Sequence, residues 1–273
     1  NWKQETFIPF SPETKYAMAK VRRIAGGEGQ VVGDRQALVD PAVQPPIDTT
    51  PFYVSKGAPQ ALLNTSINRR KVEAKVNQYI DDLAKAGTRA LAVAKGDSTG
   101  HHMRIIGILP LSDPPREDTA DTIKRTMELG VQVKMITGDQ LPIARETCRL
   151  LGMEQKVLPA TALSLTPTQL MEQYSVPTIS NMVAEADGFA QVLPEDKKKI
   201  VEILQNRGEI VGMTGDGVND APALKAAEIG IAVANATSAA RSVSDIVLLS
   251  DGLSVIVNAI EGSRRIFQKM KVS

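Results

Sequence analysis

The sequence predicts an α/β protein, with a parallel sheet in its second half and a first half richer in strands and loops. Three observations predict it. Beyond about residue 113, short apolar runs alternate with helical stretches, the pattern of a parallel sheet with helices on its faces. Before residue 60, "TFIPFSPETKYAMAKVRRIAGGEGQVVGD" reads as a strand, a polar turn, a second strand and a glycine-rich hairpin tip. Between the two regimes, Pro114 and Pro115 of "SDPPRED" mark a change of character, placing a boundary near 109–113. With 273 residues and 42% apolar content, one large or two modest cores are attainable.

In chain order, "DPAVQPPIDTTP" is a proline-rich loop, and "PFYVSKGAPQALL" is a strand entering a helix with Pro59 in its first turn. Residues 68–86 carry an amphipathic helical pattern ended by Gly87. "TRALAVAKG" and "MRIIGILPL" are strands. Past the prolines, "VQVKMI", "ADGFAQVL", "EIVGMT", "IGIAVA" and "DIVLLS" are strands. "GDQLPIARETCRLLGM", "PEDKKKIVEILQNRG" and "DAPALKAAE" are helices or helix starts. No internal repeat or low-complexity tract is visible.

Formal net charge is +1, no long basic block occurs and aromatics are 4%, so neither charge nor stacking argues for nucleic acid. The one cysteine, Cys148, rules out an intrachain disulfide framework and fits a reducing compartment; it reads as a small buried residue on a helix. No run approaches the roughly 18 apolar residues of a membrane span, and no signal-peptide pattern opens the chain. The expectation is a soluble piece of something longer.

Two strand ends carry Thr-Gly-Asp: "MITGD" at 135–139 and "GMTGDGVND" at 212–220. Ligands of open parallel sheets bind beyond the carboxyl ends of strands. A hydroxyl and a glycine there offer an O–H and exposed backbone N–H groups to a phosphate. Asp216 and Asp220 offer hard oxygen ligands suited to magnesium beside a phosphate, and Lys197 of "PEDKKK" can serve as a point charge. One such turn alone reads as an Asx-capped loop; two, with a lysine and a second aspartate in order, argue for a site. His101 and His102 lack an acidic or cysteine cluster at ligand spacing and read as surface.

Together "KGAP", "DPPR", "MITGD" and "TGDGVNDAPAL" resemble the cytoplasmic part of a P-type ATPase, most similar to plasma-membrane proton pumps. The resemblance covers nearly the whole chain. It implies a haloacid-dehalogenase-like (Rossmann-like) parallel-sheet domain, here incomplete, plus an α+β nucleotide-binding domain. The division implied is 1–110 for a partial nucleotide-binding domain, 111–262 for a phosphorylation domain lacking its first strand, and 263–273 for a stalk leading to the membrane. Phe10 and Lys15 of "FSPETK" resemble positions that meet adenosine. Lys56 resembles the lysine at the adenine pocket, and Arg89 an arginine touching the nucleotide phosphates. Asp113 and Arg116 resemble hinge residues. Thr137, Gly138 and Asp139 correspond to the phosphate-binding loop, completed by Lys197 and Asn219. Asp216 corresponds to the magnesium ligand and Asp220 to its organising neighbour. On the residues alone, Phe10 reads equally as core, Lys56 and Arg89 as surface charges, and Asp113 as a turn cap.

The resemblance further implies Mg2+ as cofactor, ATP as substrate, a place on the cytoplasmic face of a plasma membrane, and proton export. The partners implied are the rest of the same pump: an actuator domain, membrane helices and the segment bearing the phosphorylated aspartate. The family's "Asp-Lys-Thr-Gly-Thr" does not occur in the sequence; it is expected upstream of Asn1, on the central strand of the sheet. Without it, the chain is expected to be inactive and to leave backbone groups unpaired. The alternatives are a pump for another cation such as calcium, a soluble haloacid-dehalogenase-like phosphatase, and a non-catalytic nucleotide-binding module. The phosphatase would need an early Asp-x-Asp, which is absent.

Overall fold

The computed structural model describes residues 2–24, 49–250 and 252–272. The expected hairpin tip at 26–29 and most of the proline-rich stretch from Asp40 lie outside the described residues. Contacts divide the chain into two units, one of residues 1–84 and 88–112, the other of 85–87 and 113–273.

The first unit is an antiparallel meander of β1 (Trp2–Ile8), β2 (Tyr16–Arg23), β3 (Phe52–Gly57), β4 (Arg89–Lys95) and β5 (Arg104–Leu111), hydrogen-bonded in that order. Helices α1 (Pro59–Thr65) and α2 (Arg69–Lys85) supply Leu62, Leu63 and Val76, which are buried with Ala92, Ala94, Met103 and Ile105 on one face of the sheet. Pro59 opens α1, where a missing N–H costs nothing. Gly87, at φ +70°, follows α2 in the left-handed conformation that glycine adopts most cheaply. Gly57 answers a different demand. A Cβ there would stand 2.4 Å from the carbonyl oxygen of Lys15 and from the Tyr16 side chain, so β2 and β3 can approach only over a glycine.

In the second unit, β6 (Met135–Ile136), β8 (Gly188–Ala190) and β7 (Val157–Pro159) form one parallel sheet with β8 in the middle. Its alternation is plain. Ile136, Leu158 and Phe189 belong to a core with α5 (Pro167–Tyr174), α6 (Ile179–Glu185) and Ile200 of α7 (Pro194–Gln205). Met135, Val157 and Ala190 belong to another, with α3 (Thr119–Glu128) and α4 (Leu141–Leu150). A second parallel sheet runs β11 (Ile246–Val247), β10 (Ile229–Ala232), β9 (Gly212–Gly215). It packs Met213 and Ala232 against Val201 of α7, Ala223 and Leu224 of α8 (Ala221–Ala226) and Ala240 of α9 (Ser238–Val243). The successive residues Ile200 and Val201 thus enter different cores, and α7 serves both sheets. The chain ends in α10 (Ser254–Val272), whose first half meets α3. Among the described residues no helix is long and apolar enough to cross a membrane.

Two features depart from expectation. The stretch 157–185 forms β7, a 3-10 turn at Ala160–Ser164, α5 and α6, none of which hydrophobic periodicity suggests. These helices are too short to show a period, and local caps define them. Thr166 and Gln169 form a reciprocal capping box before α5, and the Thr178 hydroxyl accepts from Asn181 N before α6. Second, β6, β9 and β11 are shorter than the apolar runs that announce them. In keeping with a sheet that lacks a central strand, β6 pairs only with β8 and β9 only with β10 among the described residues, so each Thr-Gly-Asp strand is the edge of its sheet. Cys148 lies fully buried on α4, where burial first and the charge of Asp187 second push its thiol up to about 11.

Candidate active site

The second unit gathers its motifs where strands end and helices begin. After β9 the chain turns through Asp216 and Gly217 into a short 3-10 turn, Val218–Asp220, and then α8. Asp220, 6% exposed, reaches back into that turn. Its Oδ2 accepts from the backbone N–H of Asp216 (3.2 Å) and of Gly217 (3.1 Å), and its Oδ1 accepts from the Lys197 ammonium at 2.5 Å. Burial pushes the Asp220 carboxyl up, but the Lys197 hydrogen bond and charge and the two N–H groups outweigh it, so it sits below the usual carboxylate range. Gly215 makes this possible, since a Cβ on it would lie 2.6–2.9 Å from the Asp220 side chain. The Asp216 side chain is exposed, and its carbonyl accepts from Thr237 N at 2.8 Å. Asn219 is exposed beside it.

The first Thr-Gly-Asp is closed on itself. Thr137 Oγ1 donates to Asp139 Oδ2 at 3.1 Å and accepts from Asp139 N at 3.1 Å. Backbone bonds tie it to the end of β8: Thr137 N to Phe189 O, Gln191 N to Asp139 O and Val192 N to Thr137 O. Gly138 is exposed over this junction. Val192 leads directly into α7, on which Lys197 stands one turn in. The structure therefore joins Lys197, Asp220 and the Asp216 backbone by direct contact, and anchors Thr137 and Asp139 to the segment that starts α7.

In the first unit, Lys56 pairs with Ala17 on one side and Val93 on the other. Val93, Leu91 and Arg89 alternate along β4, so Lys56 and Arg89 share a face of the sheet, the one turned away from Leu62 and Leu63. Lys15 has φ +61°, and its carbonyl accepts from Ala58 N at 2.9 Å, which holds it against the end of β3. Phe10 is exposed in the turn before β2, outside the unit's buried core. Asp113 and Arg116 are exposed on the stretch leading to α3. His102 Nδ1 lies 2.8 Å from Asp97 Oδ2 on an exposed turn.

Sequence reasoning missed Gly57, Gly215, Gln191 and Thr237 as members of these arrangements. Gly215 was legible in principle, because Thr-Gly-Asp-Gly brackets the aspartate with glycine. Gln191, at φ +56° without being glycine, carries no such signal.

A family model described as haloacid dehalogenase-like hydrolase matches residues 36–228. The chain belongs to the haloacid dehalogenase-like hydrolases. It is 45% identical over 273 residues to a protein named as a cation-transporting ATPase in Methanocaldococcus jannaschii, covering 99% of this chain and 30% of that protein. It is 48% identical over 267 residues to one named as a plasma membrane ATPase in Dictyostelium discoideum, covering 96% of this chain and 22% of the relative. The chain thus spans less than a third of the length of these relatives. With the family model, the two matches support the resemblance to P-type ATPases over nearly the whole chain. The parallel sheets of the second unit and the antiparallel sheet of the first fit an incomplete domain of this hydrolase family plus a nucleotide-binding domain.

Proposed function

We propose that this chain is the part of an ATP-driven cation pump that binds MgATP and handles its phosphoryl group, and that the exported ion is a proton. In this reading residues 1–110 bind the nucleotide, 111–262 form the phosphorylation domain, and 263–273 lead toward the membrane, with the chain on its cytoplasmic face. The observation that carries it is the Lys197–Asp220 pair seated on the N–H groups of Asp216 and Gly217 at the carboxyl end of β9. A lysine fixed by a buried carboxylate is a preorganised cation for a transferring phosphoryl group.

The donor set fits magnesium in one particular way. Both Asp220 oxygens are occupied, and no cluster of three or more His, Cys, Asp or Glu occurs among the described residues. The exposed Asp216 carboxylate suits the habit of this ion, which takes one or two carboxylates and fills its shell with water and substrate phosphate. Asp216 would hold it and Asp220 would organise the turn; when bound, the ion would offset charge on the phosphate oxygens. Thr137 and Gly138 would donate hydrogen bonds to the same group. Lys56 and Arg89, on one sheet face, would meet base and phosphates, with Phe10 and Lys15 beside them and Asp113 and Arg116 in the connecting hinge.

The acceptor would be the aspartate of an Asp-Lys-Thr-Gly-Thr segment, which this sequence lacks. The open edges of β6 and β9, both parallel strands ending in Thr-Gly-Asp, favour one further parallel strand paired to each. The aspartate would attack the γ-phosphate in line, forming an aspartyl-phosphate and releasing ADP.

Calorimetric titration with MgATP tests the reading. Saturable binding is expected, weakened about tenfold or more by Lys56→Ala and by Arg89→Ala. No binding at millimolar nucleotide, or binding indifferent to both variants, overturns it. Labelled ATP followed by acid quench should leave no label on this chain alone. Hydrolysis of p-nitrophenyl phosphate would favour a soluble phosphatase instead.

A further inference from the structure

Three glycines of the first unit have a packing or backbone reason to be glycine. A Cβ on Gly57 or Gly96 would stand 2.4 Å from a neighbouring atom, and Gly100 has φ +84°. Gly107 has neither reason. It lies inside β5, its φ is not positive, and a Cβ built on it meets nothing within 4 Å among the described residues. The register beside it is irregular, with Ile106 as the extra residue, but a bulge selects glycine where it needs a positive φ. A glycine within a strand gives up backbone entropy and packs nothing, and it often marks a place where a ligand comes close to the backbone.

The position of Gly107 on the sheet points to that last use. Ile108 packs against the core formed with α1 and α2, so Gly107 and Leu109 turn to the opposite face. Gly107 pairs with Val93, and Val93 with Lys56, so the three make one row across the face that also carries Arg89. Two strand spacings put Gly107 about 10 Å from Lys56, while Arg89 lies four residues from Val93 along β4, about 13 Å away. Gly107 is thus at the Lys56 end of this face.

We propose that Gly107 determines what this face can accept: its missing side chain leaves a shallow apolar floor, walled by Val93 and Leu109, on which the flat base of the nucleotide lies. The floor is uncharged and planar, which suits an aromatic ring and not a phosphate. Lys56 at the end of the row meets polar atoms on the rim of the base, and Arg89 takes the phosphates further along β4. This inference deepens the nucleotide reading of the first unit and rests on it.

The test is calorimetric titration of the full chain with MgATP and with MgADP, for the parent, Gly107→Ala, Gly107→Val and Lys56→Ala. A methyl narrows the floor and a branched side chain closes it. Gly107→Ala should bind about threefold more weakly and Gly107→Val about tenfold more weakly or worse. The factor should be the same for both nucleotides, which share the base. Stability should move the other way. Alanine and valine order a strand better than glycine does and have open space to enter, so both variants should melt with the parent or about 2–5 °C above it. Affinity lost while stability is kept or gained is an outcome that a packing role for Gly107 does not give. Parent-like binding by Gly107→Val, with Lys56→Ala weakened, overturns this inference and leaves the nucleotide site standing. A parent that binds neither nucleotide overturns both. Lower melting of both variants would make Gly107 a structural residue, and a loss confined to MgATP would put it beside the γ-phosphate; either result also overturns the proposal.

Discussion

Asp220→Ala isolates the contact on which the second unit's loops converge. Its side chain accepts one ammonium and two backbone N–H groups, and Lys197 and Asp220 retain only 19% and 9% of their side-chain exposure. Removing one member of a buried pair strands the other and costs about 3–5 kcal/mol. Lys197 keeps enough contact with water to place the loss near the lower end, about 3 kcal/mol. For a unit of this size, that is a fall of about 6–12 °C in melting temperature. Asp220→Asn should do little better, because its single acceptor oxygen cannot serve both Lys197 and the N–H groups. Thermal melting of the parent, Asp220→Ala, Lys197→Met and the double variant forms a cycle with an expected coupling of about 2 kcal/mol. The pH dependence has a definite sign. The folded carboxyl titrates below its ordinary value, so its stabilisation is fully present above about pH 4 and is lost as pH falls through the depressed value. The gap between parent and Asp220→Ala should stay constant from about pH 5 to 8 and close under stronger acid. Single variants that melt with the parent, or losses that simply add, would refute the reasoning.

Gly215→Ala should cost about 1–3 kcal/mol by urea melting in the parent and markedly less on an Asp220→Gly background, where the Asp220 Cβ that its new methyl meets at 2.6 Å is gone as well. Gly57→Ala should be at least as costly, because the obstruction is the Lys15 carbonyl and the Tyr16 backbone, which cannot swing aside. Cys148, fully buried and with its thiol pushed up to about 11, should resist iodoacetamide at pH 8 in the native chain and react promptly in urea. Lys134→Met should lose about 1–3 kcal/mol, because the Lys134 ammonium donates to the carbonyls of Ala184 and Ala186, at 2.6 Å each, where α6 ends.

Much of this was readable before the structure. The strands β4 and β5 of the first unit announced themselves because Ala90–Ala94 and Ile105–Leu111 are nearly unbroken apolar runs, and α2 because its amphipathic period is long and ends at Gly87; the order in which the strands pair was not legible. The region 157–185 was not readable, for its helices owe their position to Leu170, Met182 and Val183 filling a core with Phe189, and long-range packing leaves no local period. At the site, residue types and spacing pointed to Lys197, Asp216 and Asp220. They could not say that Asp220 turns away from solvent to clasp Lys197 while Asp216 stays outside. That division of labour follows from Gly215, whose absent side chain is the space Asp220 fills.

The placement of Ile200 and Val201 in neighbouring cores has a mechanical consequence. A helix gripped on two flanks cannot screw along its axis by one residue without driving each side chain into the wrong packing. The Lys197 ammonium, one turn from the start of that helix, is therefore carried on a strut braced from both directions. Displacing it by even an ångström would loosen two interiors together, so the charge is held in register by the hydrophobic mass behind it.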